Sequence, residues 1–333
     1  MSVVIPTLAA DGALIECLRA LQDQSFRDFE TIVVDNSGQR LVCRGEAGRM
    51  GIRIIENSRN LGFGAAVNQG FRASGSPLLA VLNDDARAHP DWLARLVSAA
   101  EVHPRAGMFA SQIRLAGRDQ LDSAGMSIAG DGSSKQRGRL RAPAEFARLE
   151  EVLLPSGCAA LYRREMVDEV GGFDDEFFLY CEDTDLGLRG RWAGWSCLYV
   201  PDAVVEHRYS HSAGRASALK AYYVERNRLF LVVKNFPFLW IARAPVCAAA
   251  RYLWHTYFLF RGKGAAAEFT GSGNGGALRL ALFVLRAHLA VLANLPRLWR
   301  QRRQIRSRAR LSSREFAALL RHHAISAREV AAL

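Results

Sequence analysis

A five-residue apolar run, followed at once by three polar residues, sets the frame for the fold. Residues 78–82 read Leu-Leu-Ala-Val-Leu, and Asn83, Asp84 and Asp85 come next. A strand that is apolar on both faces belongs in the middle of a covered, mostly parallel sheet, and such sheets bind ligands at the carboxyl ends of their strands. Two carboxylates at that edge can hold a divalent cation together with phosphate oxygens. The alternative is a simple turn, since Asn and Asp are also favoured in turns.

Further apolar strands and amphipathic helices alternate along the chain. The patterns predict strands over residues 2–7, 29–34, 52–56, 108–113, 152–163, 196–200 and 203–207, and helices over residues 12–24, 90–103, 164–170, 182–192 and 217–236. Strands that alternate with helices at short spacing indicate βαβ units and hence a parallel α/β sheet flanked by helices. Residues 115–147 are polar and glycine-rich, and we expect them to form a loop over the sheet edge.

Positive charge is concentrated in the last third of the chain. The net charge is +11, and residues 239–333 contain 16 basic and 3 acidic residues, whereas residues 1–238 are nearly balanced. We therefore predict a globular domain over residues 1–238 and a helical, basic, amphipathic region over residues 239–333. No nucleic-acid partner is expected, because the arginine-rich run 297–310 has no recognised nucleic-acid-binding fold or base-stacking aromatics beside it.

Two apolar segments of the basic region, residues 238–260 and 277–295, predict helices. Arg243, Pro245 and Arg286 interrupt them, so neither supplies the roughly 20 uninterrupted apolar residues that a membrane crossing needs. Arginines on an apolar helix are typical of elements that lie in a membrane interface, next to anionic lipid. The alternative is a buried helical hairpin that caps the first domain.

The cysteines and the N-terminus indicate a reducing compartment. Six cysteines are scattered without a CxxC pair, which argues against a zinc site or a disulfide framework. The first residues contain no charged segment followed by an apolar run with a cleavage site, so no signal peptide is expected. Together with the basic region, this predicts a peripheral location on the cytoplasmic face of the cell membrane.

Polar residues follow several predicted strands, and a parallel sheet would bring them to one edge. Pro6 and Thr7 end the first strand, and Asp35 ends the second, where its carboxylate could bind a ribose or base or cap the next helix. The glycine loop that follows Asn60 includes Gly62, whose neighbourhood could present backbone N–H groups to a phosphate. This loop is not a dinucleotide fingerprint, because the third glycine and the downstream acidic residue are missing.

A second acidic cluster and a histidine complete the candidate site. Glu182 and Asp183 lie where a helix begins, either as residues that favour the helix dipole or as a general base for an acceptor hydroxyl. His207 ends an extended segment and could join Asp85 in binding a metal, although a lone histidine is more often structural. His211 is a weaker candidate for a metal ligand.

Taken in order, these stretches resemble the family 2 glycosyltransferases with the A-type glycosyltransferase fold, and especially the bacterial rhamnosyltransferase-like branch. The matching stretches are Val-Val-Ile-Pro-Thr (3–7), Val-Val-Asp-Asn-Ser (33–37), the glycine loop (60–70), Leu-Asn-Asp-Asp-Ala (82–86), Gly-Gly-Phe-Asp-Asp-Glu-Phe-Phe-Leu-Tyr (171–180), Glu-Asp-Thr-Asp-Leu (182–186) and Arg-Asn-Arg-Leu-Phe (226–230). The resemblance covers about the first 235 residues and implies a Rossmann-like, mostly parallel sheet with a C-terminal helical extension.

The resemblance also assigns roles to the candidate residues. Those implied to contact the nucleotide are Pro6, Thr7, Asp35, Asn60, Gly62, Asn68 and Asp84. Asp85 would coordinate Mg²⁺ or Mn²⁺, with His207 near the metal or the diphosphate. Asp183 would be the catalytic base, and Glu182 is the rival for that role.

The implied reaction is an inverting, metal-dependent sugar transfer from a nucleotide-diphospho-sugar. dTDP-rhamnose is the best candidate for the donor, and a lipid-linked saccharide for a bacterial cell-surface polysaccharide is the expected acceptor. Leu188 stands where the glutamine of the Gln-x-x-Arg-Trp motif of processive synthases would be, so transfer of one or a few sugars is expected. The alternative is a non-catalytic, membrane-associated nucleotide-binding scaffold derived from a transferase.

Overall fold

The structure is a computed structural model that describes residues 1–9, 11–208, 218–271 and 276–332. The strands in this part are β1 (Ser2–Thr7), β2 (Glu30–Asp35), β3 (Arg53–Glu56), β4 (Leu78–Leu82), β5 (Ala86–Ala88), β6 (Ala106–Leu115), β7 (Leu121–Ser123), β8 (Met126–Ile128), β9 (Ser134–Gln136), β10 (Glu150–Val152), β11 (Ala159–Arg163) and β12 (Ser196–His207). The α-helices are α1 (Gly12–Gln22), α2 (Leu41–Arg44), α3 (Phe63–Ala73), α4 (Trp92–Val102), α5 (Arg164–Val170), α6 (Glu182–Trp192), α7 (Ala218–Asn235), α8 (Phe238–Phe260), α9 (Gly264–Gly271), α10 (Ala277–Ser307), α11 (Ser313–His322) and α12 (Ala327–Ala332).

A large mixed sheet forms the centre of the molecule. Its main strand order is β10-β12-β6-β11-β4-β1-β2-β3, with β5 paired to β12 and β7 paired to β6. The four strands β3-β2-β1-β4 are parallel, as the βαβ pattern predicted. Beyond β4 the sheet becomes mixed, because β11 runs antiparallel to both of its neighbours. The parallel half therefore brings the carboxyl ends of β1, β2 and β4 to one edge.

Helices cover both faces of the sheet, so the central strands are buried on both sides. In β1, Val3 and Ile5 point into a core shared with α1 and α4, whereas Val4 points into a core shared with α3 and α5. This alternation follows from the two-residue period of a strand. It explains why β4 and residues 3–6 of β1 are apolar without interruption.

The loop predicted over residues 115–147 is instead partly a set of short strands. β7 pairs with β6, and β8 pairs with β9 in a second sheet. Leu121, Asp122 and Ser123 are almost fully buried. Strands of three residues are too short to show a two-residue period in the sequence, which is why the pattern indicated a loop.

Two other predicted strands have different bounds. The strand predicted over residues 152–163 is divided into β10 and β11 by a link in which Leu153 and Leu154 enter a different core. The two strands predicted over residues 196–200 and 203–207 are one strand, β12, with an irregularity between Val200 and Val204. Pro201 lies at this irregularity, where its missing backbone N–H interrupts no hydrogen bond between the strands.

The C-terminal helices share a hydrophobic core with α6. Leu188 and Trp192 of α6 pack in that core with Phe230 of α7, Leu298 of α10 and Phe316 of α11. The Trp192 ring stacks on Phe316 with 3.8 Å between ring centroids, and its Nε1 donates to the Asn235 carbonyl at 2.8 Å. The domain boundary after residue 238 stays a prediction, and helices on both sides of it contribute to this core.

The helix predicted over residues 277–295 is longer than expected. α10 continues through Pro296 to Ser307, since a single proline removes only one backbone donor from a helix whose second half is packed. Within the described part of the chain, residues 278–307 form the one helix that is long and apolar enough to cross a membrane by length and composition, and most of its apolar window is exposed.

Candidate active site

The carboxyl end of β4 places Asp84 and Asp85 beside the end of β1. Thr7 Oγ1 donates a hydrogen bond to Asp84 Oδ2 at 2.6 Å, as expected from the adjacency of β1 and β4. Pro6 lies in the same strand, opposite Val34 of β2. The predicted convergence of Pro6, Thr7 and Asp84 at one sheet edge is therefore present in the structure.

Asp85 meets His207 because the chain reverses after β4. β5 begins at Ala86 and pairs with the end of β12, with Ala86 opposite His207. His207 Nε2 lies 3.2 Å from Asp85 Oδ1, and His207 Nδ1 lies 2.8 Å from Asp122 Oδ2. All three side chains are buried, so the structure joins the two predicted metal ligands and adds a third residue, Asp122.

This arrangement has the chemistry of a cation site. Burial alone lowers the pKa of His207, but contacts with Cys158, Asp122 and Asp85 raise it well above its usual value. The raised pKa favours an imidazolium, which itself supplies the positive charge between the two buried carboxylates. A metal at Asp85 would have to displace the proton of Nε2, and the contact of Nδ1 with Asp122 is of the kind that orients a metal-binding histidine.

The protein would supply only part of a coordination shell. No group of three or more His, Cys, Asp or Glu in the described ranges is arranged to hold a metal ion. Mg²⁺ is usually bound by one or two carboxylates together with substrate phosphates. Asp85 and His207 therefore fit a cation whose remaining ligands come from a bound diphosphate.

Glu182 and Asp183 lie in the first turn of α6, where Glu182 is buried and Asp183 is partly buried. The backbone N–H groups of Gly157 and Thr184 donate to the two oxygens of Asp183, at 2.9 and 2.6 Å. Glu182 Oε2 has no hydrogen-bond partner in the described part of the chain. The two neighbouring carboxylates thus have different environments: both oxygens of Asp183 accept hydrogen bonds from N–H groups, whereas one oxygen of Glu182 has none among the described residues.

These environments separate the protonation states of the pair. Burial, with a further contribution from the charge of Asp183, raises the pKa of Glu182 to about 8. Burial also raises the pKa of Asp183, but the N–H donors of Gly157 and Thr184 oppose that rise. Glu182 is therefore largely protonated near neutral pH, and Asp183 is the carboxylate whose charged form the N–H donors favour.

Asp35 lies at the predicted edge, but its carboxylate serves the loop that follows β2. Its Oδ1 accepts from the Ser37 N–H at 3.0 Å and from Ser37 Oγ at 2.5 Å, and its Oδ2 accepts from the Val42 N–H at 2.9 Å. These contacts organise the turn into α2. The role of Asp35 toward a base or ribose stays a prediction.

The glycine loop contacts the segment that leads to Glu182 and Asp183. Gly62 has a φ of +90°, and a Cβ there would lie 2.4 Å from the Phe178 carbonyl oxygen. Asn68 Nδ2 donates to the Phe173 carbonyl at 2.9 Å, and Asn68 Oδ1 accepts from the Phe173 N–H at 2.9 Å. Asn60 Oδ1 accepts from the Gly62 N–H at 2.8 Å and so shapes the loop. The loop therefore sets the position of the acidic segment, whatever it contributes to nucleotide binding.

Asn227 is a functional candidate that sequence reasoning did not assign. Phe178, Tyr180 and Cys181 have φ values of 62°, 68° and 67°, a backbone conformation that is costly for residues other than glycine. Asn227 Nδ2 lies 2.9, 2.9 and 2.7 Å from the carbonyl oxygens of Phe177, Leu179 and Tyr180. The buried amide of Asn227 holds this loop in place before Glu182. The one sequence feature that could have indicated Asn227 is that it belongs to residues 226–230, one of the stretches that match the family.

Sequence reasoning also did not identify Asp122 as a site residue, because residues 115–147 were predicted to be a loop and its burial in β7 was not expected. His211 and the other residues 209–217 lie outside the described part of the chain.

Comparison with known proteins gives consistent matches. The family model described as "Glycosyl transferase family 2" matches residues 2–171. The N-acetylglucosaminyl-diphospho-decaprenol L-rhamnosyltransferase of Mycobacterium tuberculosis is 32% identical over 249 residues, which cover 67% of this chain and 81% of that protein. The uncharacterized glycosyltransferase YwdF of Bacillus subtilis is 25% identical over 219 residues, which cover 66% of this chain and 77% of YwdF.

Two solved structures share the architecture. The mannosyltransferase PcManGT from Pyrobaculum calidifontis, in complex with GDP-Man and Mn²⁺, has a TM-score of 0.53 at 16% identity and covers 92% of this chain and 85% of its own. GalNAc-T7, solved with UDP, GalNAc and Mn²⁺, has a TM-score of 0.59 at 16% identity and covers 89% of this chain and 57% of its own. At this level of identity the likeness is one of fold.

Proposed function

Because the chain belongs to glycosyl transferase family 2 and has the A-type glycosyltransferase fold, as the sequence predicted, we propose that it transfers one sugar, with inversion, from a nucleotide-diphospho-sugar to a lipid-linked saccharide. Glycosyltransferase activity follows from the family, so the alternative of a non-catalytic scaffold is not supported. The M. tuberculosis relative, a rhamnosyltransferase whose name includes a decaprenol-diphosphate acceptor, supports dTDP-rhamnose as donor and a polyprenyl-diphosphate-linked saccharide as acceptor.

The observation that carries the proposal is the contrast between the two carboxylates at the start of α6: Asp183 accepts hydrogen bonds from two backbone N–H groups, and Glu182 Oε2 has no partner among the described residues. Asp183 accepts the proton of the acceptor hydroxyl as that oxygen attacks the anomeric carbon. The N–H donors of Gly157 and Thr184 keep its carboxylate oriented and favour its charged form. Glu182, being protonated, adds no second negative charge beside the attacking oxygen.

The donor is proposed to lie along the carboxyl ends of β1, β2 and β4. Pro6, Thr7, Asp35, Asn60 and Asp84 would line the nucleotide site. Mg²⁺ or Mn²⁺ held by Asp85 and His207 would stabilise the negative charge of the departing nucleoside diphosphate. The Mn²⁺ in the two solved structures of this fold supports that choice of ion.

Calorimetric titration of dTDP, UDP and GDP, with and without Mn²⁺, tests the donor site. We expect dTDP to bind most tightly, to require Mn²⁺, and to lose at least about tenfold in affinity in Asp85→Ala, because charge-assisted contacts contribute about 1.5–3 kcal/mol. Glu46→Ala, an exposed carboxylate of a surface ion pair, is the matched control and should bind like wild type. Tighter binding of UDP or GDP would exclude the rhamnose donor, and binding of no nucleotide would exclude a donor site here.

Exposed apolar side chains on α8 support a membrane-surface location, and we propose that this surface is the cytoplasmic face. Leu239, Val246, Leu253 and Phe260 are 72–87% exposed and recur every seven residues, which places them on one face of the helix. α10 has a similar series of exposed leucines from Leu278 to Leu292. Apolar faces on helices in a basic region are typical of elements that bind an anionic membrane surface.

Point variants test this surface better than truncation, because α10 and α11 belong to the core around Trp192. The double variant Leu239→Gln with Val246→Gln should lower binding to phosphatidylglycerol vesicles by about tenfold or more, since each buried side chain of this size contributes roughly 1.5–3 kcal/mol. Co-sedimentation with the vesicles measures the bound fraction of each variant. Val102→Gln, at an equally exposed valine on α4, should have no effect. Equal vesicle binding by the double variant and wild type would contradict the proposal that this face of α8 binds the membrane.

A further inference from the structure

A cluster of cationic side chains lies between the candidate active site and the C-terminal helices. Its centre is Lys135 of β9, which is partly buried. Arg139, Lys220 of α7 and Arg251 of α8 lie close enough to act electrostatically on Lys135. Three segments far apart in the sequence thus bring like charges together, which is unfavourable unless an anion compensates them.

The arginines of the cluster have carboxylate partners within the protein. Arg251 Nε lies 2.5 Å from Asp131 Oδ2, and its Nη2 lies 2.9 Å from Glu225 Oε2. Arg139 forms an ion pair with Asp122.

Lys135, by contrast, makes no ion pair or side-chain hydrogen bond in the part of the chain that the structure describes. Burial, followed by the charges of Lys220, Arg139 and Arg251, lowers the pKa of Lys135 to about 8. An ammonium group in this setting is stabilised by any anion that binds beside it.

His255 of α8 adds an unsatisfied group to the same place. Its Nδ1 is buried without a hydrogen-bond partner among the described residues. Burial, together with the charges of Arg251 and Lys135, lowers the pKa of His255 to about 4, so its imidazole is neutral at physiological pH. A neutral imidazole with an unpaired ring nitrogen can donate a hydrogen bond to a phosphate oxygen.

The cluster is connected to both halves of the candidate active site. Ser134, next to Lys135, shares a hydrogen bond of 2.9 Å with Thr184, which follows Asp183. On the other side, Arg139 pairs with Asp122, which contacts His207. The segment that carries Lys135 and Arg139 therefore contacts both the α6 side and the His207 side of the candidate active site.

We propose that the cluster of Lys135, Arg139, Lys220, Arg251 and His255 binds the diphosphate of a prenyl-diphosphate-linked acceptor. The proposal rests on the proposed transfer to a lipid-linked saccharide and names the part of the protein that recognises the lipid's charged group. α8 contributes Arg251 and His255 to the cluster, and its opposite face carries the exposed apolar side chains of Leu239 to Phe260, so the helix that would hold the diphosphate is also the one proposed to lie on the membrane surface.

A nucleoside diphosphate offers the same chemistry, so the experiment separates the two sources. Farnesyl diphosphate binding to the full chain is measured in detergent with EDTA, which removes any divalent cation that could capture a diphosphate at Asp85 and His207. Binding of dTDP is measured separately with Mn²⁺. The variants are Lys135→Gln, the charge-conserving Lys135→Arg, and Lys263→Gln, which removes an exposed lysine from the same basic region.

We expect Lys135→Gln to weaken farnesyl diphosphate binding by about tenfold or more, while Lys135→Arg and Lys263→Gln stay within about threefold of wild type. Affinity for dTDP should be unchanged in all three. The melting temperature of Lys135→Gln should equal or exceed that of wild type, because the substitution removes an unpaired, partly buried charge.

Three results would overturn the proposal. An equal loss of dTDP affinity in Lys135→Gln would assign the cluster to the donor diphosphate. An equal loss in Lys263→Gln would show general attraction to a basic surface, and unchanged farnesyl diphosphate binding in Lys135→Gln would show that the cluster binds no such ligand. A failure of the proposed function itself is distinguishable, because dTDP would then not bind the wild type with Mn²⁺.

Discussion

Asp183→Asn should lower kcat for sugar transfer by about 10²–10⁴-fold, the usual contribution of a general base, while the affinity for the nucleotide stays the same. The amide keeps the size of the side chain but cannot accept the acceptor's proton. Transfer is measured with dTDP-rhamnose and a GlcNAc-diphosphate-lipid acceptor, and nucleotide affinity by calorimetry. The variant tests the assignment of the base independently of the donor site, because the nucleotide contacts are proposed to lie at β1, β2 and β4.

Glu182→Gln is the matched control for the choice between the two carboxylates. It should retain most of the activity, since Glu182 is largely protonated near pH 7 and its pKa is about 8. Burial raises the pKa of Asp183, so the wild-type rate should fall with decreasing pH through a value above the usual aspartate pKa of about 3.9. Near-normal turnover in Asp183→Asn, or loss only in Glu182→Gln, would reassign the base to Glu182.

Asp185→Asn should lower the free energy of unfolding by about 3–5 kcal/mol, because it removes the anion from a buried charge network and leaves cations behind. Asp185 is fully buried; its Oδ2 accepts from Arg189 Nε at 2.8 Å, and its Oδ1 lies 2.9 Å from Lys234 Nζ and accepts from Asn235 Nδ2 at 3.0 Å. Lys234 and Asn235 belong to α7, so this network fastens the C-terminal helices to α6. Urea unfolding of the full chain measures the loss.

The same network predicts that the free energy of unfolding depends on pH. Burial alone would raise the pKa of Asp185, but Lys234 and Arg189 lower it to about 2. The stabilisation is therefore complete above the unfolded-state pKa of about 3.9 and is lost as the pH falls toward 2. The stability difference between wild type and Asp185→Asn should shrink over that interval.

Glu46→Gln, in the exposed Arg19–Glu46 pair, is the control and should change the free energy of unfolding by less than about 1 kcal/mol. A similarly small effect of Asp185→Asn would show that the network does not fasten α7 to α6.

Several elements were predicted from the sequence with nearly correct bounds. β1, β4, α5, α6 and α8 have the predicted limits. In β1, β4 and α5 the apolar side chains that indicate the element are close together in the sequence, and the structure buries most of them, whereas α8 leaves several of its apolar side chains exposed. The polar ends of β1 and β4 were also predictable, because parallel strands bring their carboxyl ends to one edge.

The sequence by itself determined the family, the order of the main elements, and the residues Asp85, Glu182, Asp183 and His207 as candidates for chemistry. The ordered motifs indicated the family, and these four residues stand out because they follow predicted strands or begin a predicted helix. Only the tertiary structure decided which of them meet. Asp122 and His207 are 85 positions apart, and Lys135 gathers charges from α7 and α8. Such groupings depend on how helices and short strands pack, and packing between distant segments leaves no period in the sequence.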